Sequence, residues 1–426
     1  MLDIKTIKSH FQELKQAIQD KSIDLDLDEL LNLSEKRADL IRKVENYRSQ
    51  KNKANKEIIS LDSEAKKAKI QEMRLLDEEC TALEKALKKV EQNYQELMWR
   101  VPLIPEKDSI RGGEEKNEVI ETLGVIPEFD FKIKDHIQLG KLCDLIDFER
   151  GVKVTGNRGF FLKNELVRLE FSLMKYALDF LVKRGFTPLG VPLMAGARFF
   201  YGTGHFPFAQ EETFVAKDKE KDSYLIGTSE IPLCAYYADE ILDEKDLPYR
   251  LTAYSPCFRT EVGSYGKDTR GLYRVRQFYK VEQFIICRKN LKENDELFTE
   301  ILENTKEFMR SLNLPIHVVK VATGDMGAGK YRMCDIEGWM PSRASYGELG
   351  SCSSLLDWQA RRSNIKYKTQ ERKKEYVYTL NNTLVASPRI FISLLELNQK
   401  KDGSIEIPEI LRPYCGFSVI KPKNKA

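Results

Sequence analysis

Ser255-Pro-Cys-Phe-Arg-Thr-Glu-Val-Gly-Ser-Tyr-Gly-Lys-Asp-Thr-Arg-Gly-Leu-Tyr-Arg-Val-Arg-Gln-Phe-Tyr-Lys-Val-Glu-Gln-Phe284 reads as strand, loop, strand. Successive side chains of a strand point to opposite faces. Arg259 and Glu261 are therefore expected on one face of the first strand. Arg276, Phe278, Lys280 and Glu282 are expected on one face of the second. A buried sheet face does not ordinarily carry so many charges. It does if it floors a site for a charged ligand: arginine suits phosphate oxygens, an aromatic ring suits a purine, and a carboxylate suits an ammonium group. An exposed, ion-paired sheet face fits the alternation equally well, and the pattern leaves both open.

Around this stretch, helical and strand patterns alternate. Leu166, Leu169, Leu173, Ala177 and Phe180 line one helical face, with Gly185 placed to end the helix. Phe298, Ile301, Thr305, Phe308 and Leu312 line another. Strand-like runs lie near Tyr249–Tyr254 and Tyr273–Cys287, and the short connections favour an antiparallel sheet with helices packed on it. Thr323-Gly-Asp-Met-Gly-Ala-Gly-Lys330 has the glycines of a phosphate loop but neither its spacing nor a strand–loop–helix setting.

The first hundred residues differ in kind. No glycine or proline precedes Pro102, and both are costly inside helices. Leu33, Arg37, Leu40, Val44, Tyr47, Lys51, Ala54 and Ile58 recur at alternating intervals of four and three, and Cys80, Leu83, Leu87, Val90, Tyr94 and Leu97 form a second stripe. Leu61-Asp62-Ser63 offers a turn and an N-cap between them. The expectation is an antiparallel two-helix coiled-coil arm over about 30–98, each limb about 50 Å long at 1.5 Å per residue.

Arg42, Lys43, Arg48, Lys51, Lys53, Lys56, Lys66, Lys67 and Lys69 gather in the tip half, with Asp77, Glu78, Glu79 and Glu84 nearer the base. Such a basic half suits a phosphate backbone. A solvated coiled coil or a partner-binding stalk produces the same pattern, and this segment alone favours that plainer reading. Pro102, Pro105, Gly112, Gly113, Gly124 and Pro127 mark residues 102–130 as a linker. The expected domains are 1–101, the linker 102–130, and 131–426.

A length of 426 residues allows two or three domains, and a net charge of +3 does not by itself announce a nucleic-acid partner. Eight cysteines stand without Cys-x-x-Cys spacing, as expected of free thiols in a reducing cytosol; a zinc site built from distant residues is the alternative. No basic-then-apolar leader and no membrane-length apolar run is present, so a cytoplasmic protein without membrane contact is expected.

The opening stretch resembles the second signature motif of class II aminoacyl-tRNA synthetases, and its loop Gly-Ser-Tyr-Gly-Lys-Asp-Thr-Arg-Gly271 is similar to that of seryl-tRNA synthetases. Leu181–Pro192 resembles motif one, at the dimer interface. Leu225-Ile-Gly-Thr-Ser-Glu-Ile-Pro-Leu233 resembles the family's Thr-x-Glu loop, which implies that it binds the amino acid. Tyr346–Ser353, followed by Trp358–Arg362, resembles the ATP and magnesium strand. Thr379–Thr383 with Arg389 resembles motif three, and Leu411–Tyr414 the family's usual end.

The resemblance implies an α+β fold: an antiparallel β-sheet catalytic core flanked by helices, with the coiled-coil arm as a tRNA-binding domain. It implies a ligase that joins L-serine to ATP as seryl-adenylate and passes it to tRNA(Ser), leaving selenocysteine tRNA open as a second acceptor. Arg259, Thr260 and Glu261 would hold ATP, with Arg259 on the α-phosphate. Val275, Arg276, Gln277 and Phe278 would border adenosine, Phe278 stacking on adenine. Glu348, Leu349, Gly350 and Ser351 would hold ATP, with Glu348 and Ser351 taking Mg2+. Arg389 would reach the γ-phosphate. Thr228, Ser229, Glu230, Arg259, Glu282 and Thr383 would form the serine pocket, and Arg259, Glu261 and Arg389 would carry the chemistry.

A cytoplasmic homodimer is implied, without DNA or membrane partners. The chain departs from the family at Arg276, where many relatives have histidine; at Thr383, serine in some relatives; and at Ala386-Ser-Pro-Arg389, which lacks the usual glycines. There Ser387 is expected to cap a helix with Pro388 in its first turn, presenting Arg389 at the helix start. The competing readings are a threonine or proline class II synthetase, a non-catalytic tRNA-binding paralogue or scaffold, and a coiled-coil structural protein joined to an unrelated globular domain.

Overall fold

The computed structural model describes residues 2–60, 62–262 and 270–423. The chain forms two compact units, 1–102 and 103–426.

In the first unit, helices α1 (Ile4–Ser9) and α2 (Phe11–Asp20) precede two long helices, α3 (Leu27–Glu57) and α4 (Ser63–Arg100). Asp26 caps α3, and Asp62 caps α4 by accepting the amides of Glu64 and Ala65. Leu61, the first residue of the expected turn, lies outside the described residues. Arg37 pairs with Glu91, Tyr47 with Glu79, and Lys51 with Asp77. Numbers rise along one limb as they fall along the other, so the limbs are antiparallel. Leu33, Val44, Ala54, Cys80 and Met98 are buried along this pair. Arg48 and Lys51 are paired to Glu84 and Asp77 across the hairpin, which trims the basic cluster read from the sequence.

The second unit is built on an eight-stranded sheet: β1 (Glu118–Leu123), β2 (Thr187–Pro188), β3 (Tyr249–Phe258), β4 (Gln277–Cys287), β5 (Ile316–Lys320), β6 (Arg332–Met340), β7 (Ser345–Leu356) and β8 (Tyr378–Ser387). Their order across the sheet is β1-β5-β6-β7-β8-β4-β3-β2. Only the two-residue edge strand β2 runs parallel to its neighbour, β3. Residues 102–130, read from the sequence as a linker, contain β1, which pairs with β5. Proline and glycine bound that strand without interrupting it.

Strand alternation divides the faces. Val281, Ile285 and Cys287 of β4 and Leu380 of β8 join the main core, against α6 (Glu165–Val182), α8 (Leu291–Ser311) and α9 (Ile390–Leu397). The polar Gln283 and Asn382 on this face are tied to α8, both donating to the carbonyl of Ile301. The opposite face is apolar at one end, with Phe284 and Ile286 against Leu251 and Ala253. Its other end is left for polar side chains. The eight cysteines are unpaired and buried.

Candidate active site

The polar end of that face opens into a cavity of about 240 Å³. β4 supplies Phe278, Lys280 and Glu282, β8 supplies Asn381 and Thr383, and β7 supplies Glu348, Leu349, Gly350 and Ser351. Glu348 and Ser351, three apart, would face opposite ways in a regular strand. Ile336 pairs with Gly350 and Glu337 with Glu348, leaving Leu349 as an extra residue. This bulge resets the alternation and lets both side chains reach the cavity.

At one end of the cavity lies a buried polar cluster. Glu282 and Thr383 are directly opposed across β4 and β8. The Lys280 ammonium donates to the Thr228 hydroxyl at 2.6 Å and lies 3.4 Å from that of Thr383. It also forms an ion pair with the Glu282 carboxylate. Burial pushes the Glu282 carboxyl up; Lys280 offsets part of this and the nearby Glu230 charge adds to it.

Glu230 opens helix α7 (Glu230–Ala235) and accepts from Gln359 Nε2 at 2.6 Å. Burial would raise it too, but the surrounding positive charge, Lys330 foremost, outweighs burial and holds it below the usual range. The two carboxyls of the pair are thus shifted in opposite directions. The half-buried His205 accepts or donates at Thr203 Oγ1, 2.9 Å away, and loss of hydration lowers its imidazole to about 4.

Arg259 follows β3, with its guanidinium 5.3 Å from the centre of the Phe278 ring and Nη2 donating to the Gly227 carbonyl at 3.5 Å. Arg389 donates from Nε to the Tyr273 carbonyl at 3.0 Å and from Nη1 to the Glu348 carbonyl at 2.6 Å, with its guanidinium 4.4 Å from the Tyr273 ring centre. Glu261 is held by Arg158 at 3.0 Å and by Arg274 at 3.6 Å.

Several expectations are corrected here. Arg259 and Glu261 do not share a strand face: β3 ends at Phe258, and Glu261 has φ +57°. Both still line the cavity. Arg276 precedes β4 and donates to the Thr155 carbonyl at 3.4 Å, while Gln277 points to the face opposite Phe278 and is exposed; neither lines the cavity. Thr260 is drawn off by the Glu211 carbonyl, 2.9 Å from its hydroxyl, and Ser229 is buried behind Thr228 and Glu230.

Ser387 caps no helix. It ends β8 and donates to Glu170, while α9 starts at Ile390 with Arg389 just before it. The motif-two loop residues 263–269 lie outside the described residues. The sequence reading missed His205, Tyr273, Arg274 and Lys330 as lining residues. Lys330 stood in the glycine-rich stretch set aside as no phosphate loop. No helix follows it, since β6 begins two residues later, yet the lysine faces the cavity.

A divalent cation fits the hard-oxygen donors here. Glu348 and Ser351 face the cavity together, and Asp335, opposite Ser351 on β6, has a buried carboxylate oxygen without a partner. Among the described residues no group of three or more His, Cys, Asp or Glu could cage a metal by itself. That suits magnesium, which takes one or two carboxylates and completes its shell with phosphate oxygens and water.

Residues 1–105 match the seryl-tRNA synthetase N-terminal domain, and residues 212–398 match the tRNA synthetase class II core domain (G, H, P, S and T). Over its whole length the chain is 40% identical to the serine–tRNA ligase of Dictyoglomus turgidum, itself covered end to end. The chain belongs to the seryl-tRNA synthetase family. The Deinococcus radiodurans serine–tRNA ligase is 39% identical, with 98% of each chain covered. Among solved structures, the seryl-tRNA synthetase of Pyrococcus horikoshii complexed with ATP superposes with a TM-score of 0.86 at 34% identity, with all of both chains covered. The α+β fold, an antiparallel-dominated core with a helical N-terminal arm, is that of this family.

Proposed function

We infer that the chain is a serine–tRNA ligase, an ATP-dependent aminoacyl-tRNA synthetase, and that the cavity over β4, β7 and β8 is where it activates serine. The observation that carries the reading is the convergence of Arg259, Phe278, Glu348 and Arg389 with Thr228, Glu230, Glu282 and Thr383 in one cavity. A non-catalytic paralogue has no need of that complete set. Among the described residues no helix is long and apolar enough to cross a membrane, and a cytoplasmic location is part of the proposal.

Glu230, held ionised, pairs with the serine ammonium group. Glu282 and Thr383, opposed across the two strands, bond the hydroxyl. Alanine would leave both buried groups unpaired, which can discriminate by about 10⁴, and the bulk of Thr383 and Thr228 leaves little room for a methyl branch. Arg259 neutralises the α-phosphate as the serine carboxylate attacks it. A phosphorus–oxygen bond forms, pyrophosphate leaves, and seryl-adenylate remains. Phe278 stacks on adenine and Arg389 holds the γ-phosphate end. When bound at Glu348 and Ser351, magnesium neutralises phosphate charge. The terminal ribose hydroxyl of tRNA then attacks the acyl carbon and AMP leaves. Alignment and fixed charge supply the rate, with no covalent enzyme intermediate.

The exposed lysines of the α3–α4 hairpin support its role as the holder of tRNA(Ser). A homodimer completes the proposal. Pyrophosphate exchange with each of the twenty amino acids tests the substrate: exchange with serine alone is expected, and a stronger response to threonine or proline would overturn it.

A further inference from the structure

His136, the first residue of helix α5 (His136–Leu142), is buried and is not among the residues that line the cavity described above. Its Nδ1 lies 2.8 Å from Glu396 Oε1, and its own backbone amide donates to the same oxygen at 2.8 Å. Glu396 is completely buried near the end of α9, the helix that starts just after Arg389. It also accepts the Ser342 amide at 2.9 Å and the Ser342 hydroxyl at 2.8 Å. Four donors thus satisfy one buried carboxylate.

On the other side of the ring, the Leu272 amide lies 3.2 Å from Nε2. An amide can only donate, so Nε2 presents its lone pair and the proton sits on Nδ1, facing the carboxylate. The chain passes hard against the imidazole: Gly271 has φ +74°, and a Cβ there would fall 2.1 Å from Nε2.

Of the segments gathered by this network, the one holding Leu272 and the one that runs from Arg389 into α9 reach the cavity, and the one holding Ser342 packs on Tyr273. Leu272 lines the cavity, and the next residue, Tyr273, gives its carbonyl to Arg389. Arg343, beside Ser342, stacks on the same Tyr273 ring at 4.2 Å. Tyr273 is therefore bracketed by two arginines whose chain segments are both tied to Glu396.

We propose that His136 is a positioning residue for the nucleotide: as a neutral imidazole bridging Glu396 and the Leu272 amide, it fixes the returning limb of the 255–284 motif, so that Tyr273 presents Arg389 to the ATP phosphates. This rests on the reading of the cavity as an ATP site. His136 touches no substrate; it acts through Leu272, Tyr273 and Arg389.

The test compares His136→Asn with His136→Gln in the full-length protein. Asparagine places its amide where Nδ1 stands, keeping the bond to Glu396 and leaving the Leu272 amide without an acceptor. Glutamine places its carbonyl where Nε2 stands and restores that acceptor. Calorimetric titration with ATP is read beside the KM for serine and the melting temperature. Leaving a buried donor unpaired should weaken ATP binding about tenfold or more in the Asn variant, with the serine KM unchanged. The Gln variant should bind ATP within about threefold of wild type.

Equal ATP affinity in Asn variant and wild type overturns the proposal, as does an equal loss in both variants that follows their melting temperatures. If the Asn variant does not fold, the Gln variant decides: near-wild-type affinity supports the proposal, and a tenfold loss overturns it. Wild-type pyrophosphate exchange with serine is run alongside, so a failure of the serine assignment shows there and leaves the ATP comparison standing.

Discussion

The Lys280 ammonium is wedged between the Glu282 carboxylate, two residues on along the same strand, and the Thr228 hydroxyl, 2.6 Å away on a separate segment. A buried lysine and glutamate on one strand face thus form one link between the Thr-x-Glu loop and the sheet, beside the Phe258 amide that donates to the Ile226 carbonyl. The ammonium counters part of the burial that raises Glu282.

Lys280→Met should raise the Glu282 carboxyl further, because the burial remains and the offsetting charge goes. A carboxyl with a higher pKa stays protonated to a higher pH. The acid limb of kcat/KM for serine should therefore move upward in pH, and KM for serine at neutral pH should rise about tenfold or more. A pH profile that overlays wild type would remove Lys280 from the serine pocket.

Gly350 lies against Thr383: a Cβ there would meet the Thr383 Cβ at 2.8 Å. Gly350→Ala must push Thr383 out of line with Glu282, at a strain cost of about 1–3 kcal/mol. KM for serine should rise more than KM for ATP. Equal rises in both would mean that the sheet, not the hydroxyl pocket, was disturbed.

Deleting residues 34–98 removes most of the α3–α4 hairpin from the first compact unit. Serine-dependent pyrophosphate exchange should persist and tRNA aminoacylation should fall sharply. Unchanged charging of tRNA would take the arm out of the mechanism.

Glu348→Gln removes the one formal negative charge that Glu348 and Ser351 together offer a cation. Exchange should then need a higher magnesium concentration for half-maximal rate, and excess magnesium should recover part of the loss. An unaltered magnesium dependence would place the cation elsewhere.

Much of the site was legible because strands obey a strict alternation. Phe278, Lys280 and Glu282 fall on one face as their spacing required. The same rule failed for Arg259 with Glu261, since β3 ends at Phe258 and a positive φ at Glu261 breaks the alternation. It failed at Arg276 because that residue stands one place before its strand and is taken by Thr155. Glu348 and Ser351 came from family resemblance; their common facing depends on a bulge at Leu349 that spacing cannot reveal. His205 and Lys330 were missed because they reach the cavity from distant loops, and nothing local marks such an approach. The hairpin, by contrast, was written in its heptads and in the absence of glycine and proline, as was the N-cap at Asp62. Strand β1 was hidden in a stretch whose punctuation reads as linker.

Arg259 faces the Phe278 ring in the same cavity that Glu230 and Glu282 line. A ligand that joins serine to adenosine should therefore engage both sets of side chains at once. The most direct measurement is calorimetric titration of the purified protein with a non-hydrolysable seryl-adenylate analogue, repeated in saturating ATP and in saturating serine. Binding at least about 10²-fold tighter than either substrate alone, weakened competitively by each of them, is the predicted result. An analogue that binds no better than ATP, or that binds equally well with serine already in place, would contradict a single cleft shared by the two substrates.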